Sequence, residues 1–504
     1  MPAVRRILPI ALLLASAVVH AQTTPAEPPK KNVLFLICDD LNADLGCYGH
    51  PLVKSPNIDR LAARGVRFDR TYCQYPLCNP SRSSFLTGRY PFQTGILTNG
   101  PHFRKFIPDV VTLPQYFRNH GYFVARVGKL YHYGVPGDIG TDGLDDPPSW
   151  EAKANPRGLD REVQDRIHCI VPNGPLGSSL SWLRLESKDE EQTDGVGATE
   201  AIKFLEANDP KKTGKPFFLA FGCYRPHSPY VAPGKYFDLY PREKIVPVIE
   251  KPGDRDDIPP CAVEDKPNQR DVPLEKRKEI IQAYFASISY ADAQLGRVLD
   301  ALERLGLAQD TVVVFTSDHG YLLGEHGLWQ KHNLFEPTAR VPLVIAEPGS
   351  AQAGKTSKAL VEMVDFYPTL AELAGLPPPA GASGRSLVPV LRDPAAAHRE
   401  AAFTVCNARR AKADPPGLKK GGRKPAKGGE DNAGGGREEQ ILGYSIRTDR
   451  YRYTEWGDGG EAGVELYDEE KDPDEYVNLA EDPAQTETVK KLKDLLRKSA
   501  EAAR

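Results

Sequence analysis

The residues best suited to chemistry lie in the stretch 78–89, where Cys78 comes just before Pro80, Ser81 and Arg82. Pro80 and Ser81 favour the first turn of a helix. The start of a helix attracts anions, and Arg82 adds a positive charge there. A lone cysteine is more often a small buried hydrophobic residue than a reactive group. In this setting it is instead a candidate functional residue beside an anion-binding site.

Polar residues also follow four predicted strands, at 32–38, 122–127, 216–221 and 311–316. They are Asp39 and Asp40 after the first strand, Lys129 and His132 after the second, His227 after the third, and Asp318, His319 and Lys331 after the fourth. Each is an ordinary surface residue when taken alone. Ligands of open α/β sheets bind beyond the carboxyl ends of the strands, and adjacent carboxylates are candidate ligands of a hard cation. Their joint placement predicts one polar site at one edge of the sheet.

The elements that must position these residues alternate between strands and helices. This alternation predicts an α/β fold with a mostly parallel central sheet flanked by helices. The strand at 32–38 is almost continuously apolar, as expected of a strand buried on both faces. Predicted helices include 113–119, 199–207, 274–305 and 361–374. The helix at 274–305 carries an apolar stripe that indicates core packing, formed by Ile280, Ile281, Tyr284, Ile288, Leu295, Val298 and Leu302.

A chain of 504 residues is long enough for one large domain and a smaller one. We predict a catalytic domain at 32–394 and a smaller C-terminal α+β subdomain at 395–504. Within the larger unit, residues 135–195 and 228–272 show little periodicity and are expected to be irregular. Long segments of this kind often form binding walls, so we expect them to shape substrate choice.

The C-terminal part differs in pattern from the rest of the chain. Short strands predicted at 443–447, 451–455 and 464–467 favour a small antiparallel sheet, and a helix is predicted at 489–500. Residues 408–438 are dominated by Lys, Arg, Gly, Pro and Ala, which predicts a flexible basic loop. A solvated insertion is the simpler interpretation of this loop, and contact with an anionic polymer is the alternative.

Composition excludes some classes of partner and indicates a compartment. Apolar and charged contents of 40% and 26% are ordinary for a soluble globular protein. The net charge of -3 gives no general attraction to nucleic acid or anionic membranes. Residues 1–21 have the basic start, apolar run and small-residue cleavage site of a signal peptide, and 22–31 form a Pro-rich tether. We therefore expect export to the periplasm or secretion, without stable membrane insertion after cleavage.

These motifs together resemble the type I sulfatases of the alkaline-phosphatase-like superfamily, over about residues 31–482. Within that family the chain is most similar to the iduronate-2-sulfatase branch. The stretches that carry the resemblance are 78–89, 128–132, 225–227, 316–320 with 324–327, and 443–448. The resemblance implies an alkaline-phosphatase-like core, a C-terminal subdomain with a short antiparallel sheet, and a sulfuric ester hydrolase.

The resemblance also implies a role for each site residue. Cys78 would be oxidised to Cα-formylglycine by a formylglycine-generating or anaerobic sulfatase-maturating enzyme, and the hydrated aldehyde would attack sulfur. One Ca²⁺ ion would be held by Asp39, Asp40, Asp318, His319 and the diol at position 78. Arg82 and Lys129 would stabilise the oxyanion of the nucleophile. Lys331 and His227 would face the sulfate, with Lys129 and His319 nearby, and one of them would protonate the leaving alcohol. His132 would take a proton from the second hydroxyl as sulfate leaves.

The substrate implied by the resemblance is a sulfated carbohydrate, with a 2-O-sulfated uronic acid at a chain end of a glycosaminoglycan or similar polysaccharide. A phosphodiesterase or phosphonate monoester hydrolase of the same superfamily is one alternative, and two metal ions would favour it. A non-catalytic protein that binds sulfated glycans is a second alternative, and a chain whose Cys78 stays unconverted is a third. The eight cysteines are too few for a disulfide scaffold, and the sequence leaves their pairing open.

Overall fold

The computed structural model describes residues 30–264, 266, 269–409 and 440–504. The predicted signal peptide at 1–21, nearly all of the tether at 22–31 and nearly all of the basic loop at 408–438 lie outside these residues. No helix in the described ranges is long and apolar enough to cross a membrane. All eight cysteines are described, and each is a free thiol.

The strands are distributed along the whole described chain. They are β1 Asn32–Asp39, β2 Val66–Tyr72, β3 Phe123–Gly128, β4 Ala152–Ala154, β5 His168–Cys169, β6 Ser181–Leu185, β7 Phe217–Pro226, β8 Tyr230–Pro233, β9 Thr311–Ser317, β10 Leu322–Leu323, β11 Trp329–Gln330, β12 Arg340–Ala346, β13 Thr356–Glu362, β14 Ala402–Arg409, β15 Gln440–Arg447, β16 Tyr451–Trp456 and β17 Gly463–Asp468.

Helices lie between several of these strands and after the last one. They are α1 Pro56–Ala62, α2 Cys78–Thr87, α3 Pro91–Thr94, α4 Leu113–Asn119, α5 Leu159–Glu162, α6 Thr193–Ala207, α7 Pro210–Thr213, α8 Gly234–Phe237, α9 Leu274–Arg304, α10 Glu336–Ala339, α11 Phe366–Leu373, α12 Val388–Arg392 and α13 Thr486–Ala502. The predicted helix at 274–305 is confirmed as α9.

The central sheet has eight strands in the order β13-β2-β12-β9-β1-β7-β3-β4. Every neighbouring pair is parallel except the two that involve β12, which runs antiparallel to both β2 and β9. The predicted mostly parallel sheet is therefore confirmed. Because β9, β1, β7 and β3 are consecutive parallel neighbours, their carboxyl ends meet at one edge.

Strand β1 shows why the sheet needs helices on both faces. Leu34 and Leu36 pack into the core layer that contains α1, α6 and α9. Val33, Phe35 and Ile37 pack into the opposite layer, which contains α2, α4 and α11. Successive side chains of a strand point to opposite faces, so the apolar run at 32–38 contributes to both cores.

One predicted helix and two segments predicted to be irregular require correction. The helix predicted at 361–374 is shorter, because Thr356–Glu362 forms the edge strand β13 parallel to β2 and the helix α11 spans only Phe366–Leu373. Sheet pairing with β2 here overrides the local helical pattern. The segments 135–195 and 228–272 are also more regular than expected, since β6 in the first pairs with β8 in the second.

The C-terminal subdomain, defined here as β14 to β17 with α13, forms an antiparallel sheet covered by that helix. The sequence pattern predicts three of its strands but not β14. The partner of β14 is β15, which follows it in the chain only after residues 410–439. A strand without a local hairpin partner gives a weak sequence signal.

Candidate active site

The carboxyl edge of the central sheet brings the predicted site residues together. Asp39 ends β1, Lys129 follows β3, His227 follows β7, and Asp318 follows β9. Strand β2 runs in the same direction and leads through residues 73–77 to helix α2, which begins at Cys78. The site is therefore built from five strand ends that are distant in sequence.

Arg82 lies at the centre of this edge and is fully buried. Its Nε donates to Oδ2 of Asp318 at 2.9 Å, and its Nη2 donates to Oδ1 of Asp39 at 3.0 Å. Its Nη1 donates to the carbonyl oxygens of Lys129 at 2.8 Å and Leu130 at 3.0 Å. Arg82 therefore holds two carboxylates and the segment after β3 in one fixed arrangement. Burial works against its charge, but Asp318 and Asp39 outweigh that effect and raise its pKa.

The Cys78 thiol has three polar neighbours. Its Sγ lies 3.3 Å from Nζ of Lys331, 3.4 Å from Nε2 of His319 and 3.8 Å from Oδ1 of Asp40. Burial alone would raise the pKa of the Cys78 thiol, but Lys331 and Lys129 outweigh burial and lower it. Position 78 therefore lies in a buried pocket that favours negative charge on the group it carries.

A cluster of donor atoms beside Cys78 is suited to a metal ion. Within the described chain, donor atoms of Asp40, Cys78, Asp318 and His319 lie within 4.8 Å of one another. A second group shares Asp40 and Cys78 and adds Asp39 and His227. Nδ1 of His319 donates a hydrogen bond to the carbonyl oxygen of Gly320 at 2.9 Å, which directs Nε2 toward the cluster.

The electrostatics of this cluster show a deficit of positive charge. Oδ2 of Asp40 is buried without a hydrogen-bond partner. Burial raises the pKa of Asp40 to about 7 against the opposing effect of Lys331. Burial would lower the pKa of His319, yet Asp318, Cys78 and Asp40 raise it to about 9. An oxygen-rich set of this kind fits a divalent cation, which would stabilise the carboxylates and replace the proton on His319.

Lys129 neutralises the carboxylate at the end of β1. Its Nζ lies 2.5 Å from Oδ2 of Asp39, and both side chains are fully buried. Burial would raise the pKa of Asp39, but Lys129, His227 and Arg82 hold it well below its usual range. Asp39 is therefore an anion across the physiological pH range.

Two neutral imidazoles complete the site. Nε2 of His227 is 3.7 Å from Oδ2 of Asp40, and its Nδ1 lies 2.5 Å from the carbonyl oxygen of Ser228. Burial and Lys331 lower the pKa of His227 well below its usual value. Burial and Lys129 lower the pKa of His132 to about 3, and its buried Nδ1 has no hydrogen-bond partner. Both rings are therefore neutral across the physiological pH range.

Sequence reasoning missed two residues that shape the turn after β1. Asp40 has a left-handed backbone with φ of 63°, which is unusual for a residue other than glycine. The Tyr284 hydroxyl donates to the Asp40 carbonyl oxygen at 2.8 Å, and Ser317 Oγ accepts from the Leu41 N–H at 2.9 Å. Tyr284 belongs to the apolar stripe of α9, which predicts a position in the core. The hydroxyl group of its side chain is the one feature of the sequence that indicates a second role.

Fold and site together define an enzyme of the alkaline-phosphatase-like class, with a metal-suited cluster beside a buried nucleophile candidate. Residues 31–376 match the model of the Sulfatase family, and the chain belongs to that family. It is a sulfatase, an enzyme that hydrolyses sulfate esters.

Comparison with individual proteins agrees with this assignment. The chain is 35% identical to human iduronate 2-sulfatase over 483 residues, which cover 84% of each chain. It is 34% identical to a sulfatase of Formosa agariphila over 489 residues, covering 94% of this chain and 87% of the relative. Its fold is similar to that of the phosphonate monoester hydrolase of Agrobacterium radiobacter, with a TM-score of 0.72, 24% identity and coverage of 94% and 96% of the two chains.

Proposed function

We propose that this enzyme removes the 2-O-sulfate of a uronic acid at a chain end of a glycosaminoglycan or similar polysaccharide, using formylglycine derived from Cys78. The observation that carries the chemistry is the surrounding of Cys78 Sγ by Lys331, His319 and Asp40 at 3.3 to 3.8 Å. The similarity to human iduronate 2-sulfatase supports the substrate. A formylglycine-generating or anaerobic sulfatase-maturating enzyme would be needed as a partner.

The chemistry requires more than a thiol at position 78. A hydrated aldehyde supplies one hydroxyl for attack on sulfur and a second hydroxyl whose deprotonation allows sulfate to leave. Arg82 holds the carboxylates Asp39 and Asp318 beside this position. Nζ of Lys331 lies beside both Asp40 and Cys78. From this position its ammonium group would contact a sulfate oxygen and the nucleophile at the same time. Preorganised charge of this kind is usually the largest contribution to catalysis.

His132 is assigned as the base, and Lys331 or His227 is assigned as the group that protonates the leaving alcohol. His132 accepts the proton of the second hydroxyl, since its low pKa leaves the ring neutral and its Nδ1 is without a partner. Lys331 or His227 faces the leaving alcohol and returns a proton to it. Lys331 would donate from its ammonium group, and His227 would donate after its ring has taken up a proton. A general base must be unprotonated at the working pH, and the neutral ring of His132 meets this condition.

The metal that we propose is one Ca²⁺ ion. Asp39, Asp40, Asp318 and His319 would hold it, because three carboxylates give the oxygen donors that Ca²⁺ prefers. Bound there, the ion would polarise the sulfate ester as a Lewis acid. The two donor groups share Asp40 and Cys78, so they describe one overlapping centre.

The match to the Sulfatase family and the similarity to iduronate 2-sulfatase favour a sulfate ester over the phosphonate or phosphodiester alternative. Lys129 and Lys331 each pair with one carboxylate of the cluster, at 2.5 Å in both cases. These ammonium groups supply positive charge where a second metal ion would otherwise be needed, which suits an ester with a single negative charge better than a dianionic phosphate monoester. A protein that only binds glycans would have no need of a buried nucleophile position.

The decisive measurement is the mass of the tryptic peptide that carries residue 78, from protein made in its native host. Conversion of thiol to aldehyde lowers the mass by about 18 Da, whereas ordinary cysteine oxidation adds oxygen. Sulfate release is then compared for oligosaccharides with a chain-end 2-O-sulfated uronic acid and for 6-O-sulfated isomers. Cys78→Ser should abolish release, while Cys47→Ser, at a partly exposed thiol outside the site, should retain it. An unmodified thiol in active protein, or full activity of a serine variant whose residue 78 is unmodified by mass, would rule out the formylglycine assignment.

A further inference from the structure

Lys331 is carried by a segment with an unusual backbone. Gln330 and His332, on either side of it, have left-handed backbones with φ of 73° and 78°. This conformation is rare for residues other than glycine and persists only where the surroundings impose it. The contacts of these two residues therefore decide where the Lys331 ammonium group lies.

The two flanking residues are held by different parts of the protein. Oε1 of Gln330 accepts from Nζ of Lys266 at 3.0 Å and from Nε2 of Gln269 at 3.1 Å. The His332 backbone N–H donates to the Pro76 carbonyl oxygen at 3.1 Å, and its Nε2 donates to Oδ1 of Asn407 at 2.7 Å. The second set links the Lys331 segment to the C-terminal subdomain, because Asn407 lies on β14.

The same Asn407 side chain also holds the segment that leads to Cys78. Its Oδ1 accepts a hydrogen bond from the Tyr75 hydroxyl, and its backbone N–H donates to that hydroxyl at 2.9 Å. Tyr75 is fully buried and lies three residues before Cys78. One acceptor oxygen therefore joins the segment before residue 78 to the segment that carries Lys331.

We propose that Asn407 is a positioning residue that sets the distance between the Lys331 ammonium group and the nucleophile at position 78, which is 3.3 Å from Nζ to Sγ. The inference rests on the sulfate-facing role proposed for Lys331. It assigns the C-terminal subdomain a part in the reaction, because β14 supplies the bridge between two segments of the site. Misplacing a catalytic group by about 1 Å can cost on the order of 100-fold in rate.

The test compares Asn407→Ala with Thr404→Val in the full, formylglycine-containing enzyme. Thr404 lies on the same strand and its hydroxyl donates to the Cys73 carbonyl oxygen at 2.7 Å, so it contacts the same segment without reaching Lys331. We expect the alanine variant to lose about 10- to 100-fold in kcat and to bind inorganic sulfate more weakly in calorimetry. The valine variant should retain the kcat and the sulfate affinity of the parent enzyme, although its Tm should change by about as much as that of the alanine variant. Asn407→Asp, which keeps Oδ1, should recover much of the loss.

A double-mutant cycle that combines Asn407→Ala with His332→Asn separates positioning from general stability. Asparagine is chosen at position 332 because it tolerates the left-handed backbone. If Asn407 acts through His332, the double variant should lose no more kcat than the more damaged single variant. Losses that multiply, or an alanine variant with unchanged kcat and sulfate affinity, would overturn the proposal. A failure of the proposed function gives a different result. The parent enzyme would then release no sulfate from any substrate, while the effect of Asn407→Ala on the binding of inorganic sulfate would still test the role of Asn407.

Discussion

Replacing Arg82 with glutamine should destabilise the folded protein by about 3–5 kcal/mol, the range found when one partner of a buried ion pair is removed. Arg82, Asp39 and Asp318 are all fully buried. The substitution leaves two buried carboxylates without the guanidinium that holds them, and it removes donors from two backbone carbonyl oxygens. Each such carbonyl left without a partner adds to the loss.

Two further variants calibrate this effect. Arg82→Lys keeps a positive charge but lacks the forked donors of arginine, so its loss should be intermediate. Arg60→Gln removes an ion pair with Asp300 in which both side chains are exposed, and exposed pairs contribute only about 0–1 kcal/mol. The assay is equilibrium urea unfolding followed by tryptophan fluorescence, with a chelator present so that no cation compensates for the lost charge.

The comparison between the two glutamine variants decides the argument. If Arg82→Gln costs no more than Arg60→Gln, the buried carboxylates do not depend on the guanidinium, and the reasoning from burial is refuted. A loss in Arg82→Lys as small as that in Arg60→Gln would show that charge alone suffices, and would refute the role given to the forked geometry.

Three other predictions concern individual site residues. His132→Ala should accumulate a sulfated enzyme, visible in the intact mass after brief exposure to substrate, and normal turnover without an adduct would contradict its role as the base. Asp318→Ala should lower the divalent metal content measured by mass spectrometry, whereas the exposed Asp300→Ala should not, and equal contents would remove Asp318 from the ligand set. The pKa of His132 is about 3 in the folded protein and about 6.5 when unfolded. The unfolded state therefore binds the extra proton, and stability falls as pH drops from about 6.5 toward about 3, by up to about 1.4 kcal/mol per pH unit. His132→Gln should lose stability less steeply over this range, and identical slopes would contradict the assignment.

Much of the fold follows from local sequence pattern. A strand buried on both faces must be continuously apolar, so the run at 32–38 predicts β1, and the polar residues after four strands jointly predict one polar site at their carboxyl edge. Helix periodicity located α9 almost to the residue. The stretch 78–89 combines helix-start residues with a cysteine and an arginine, and together with the other matching stretches it predicts the sulfatase family that the comparisons confirm.

The arrangement within the site required the tertiary structure. The sequence could not show that Arg82 holds Asp39 and Asp318 from two different strands, because strand order is set by pairings between residues far apart in the chain. It also indicated a packing role only for Tyr284, although the hydroxyl of that residue fixes the turn after β1.

What the sequence determined by itself was the set of chemical groups and the class of fold, since these depend on residue type and short-range periodicity. Only the tertiary structure decided how those groups are held. Asn407 illustrates the difference, because nothing in its neighbourhood in the chain points to the active site. Its contacts with Tyr75 and His332 exist because β14 packs against the larger domain, and non-local packing of this kind leaves no mark in local sequence pattern.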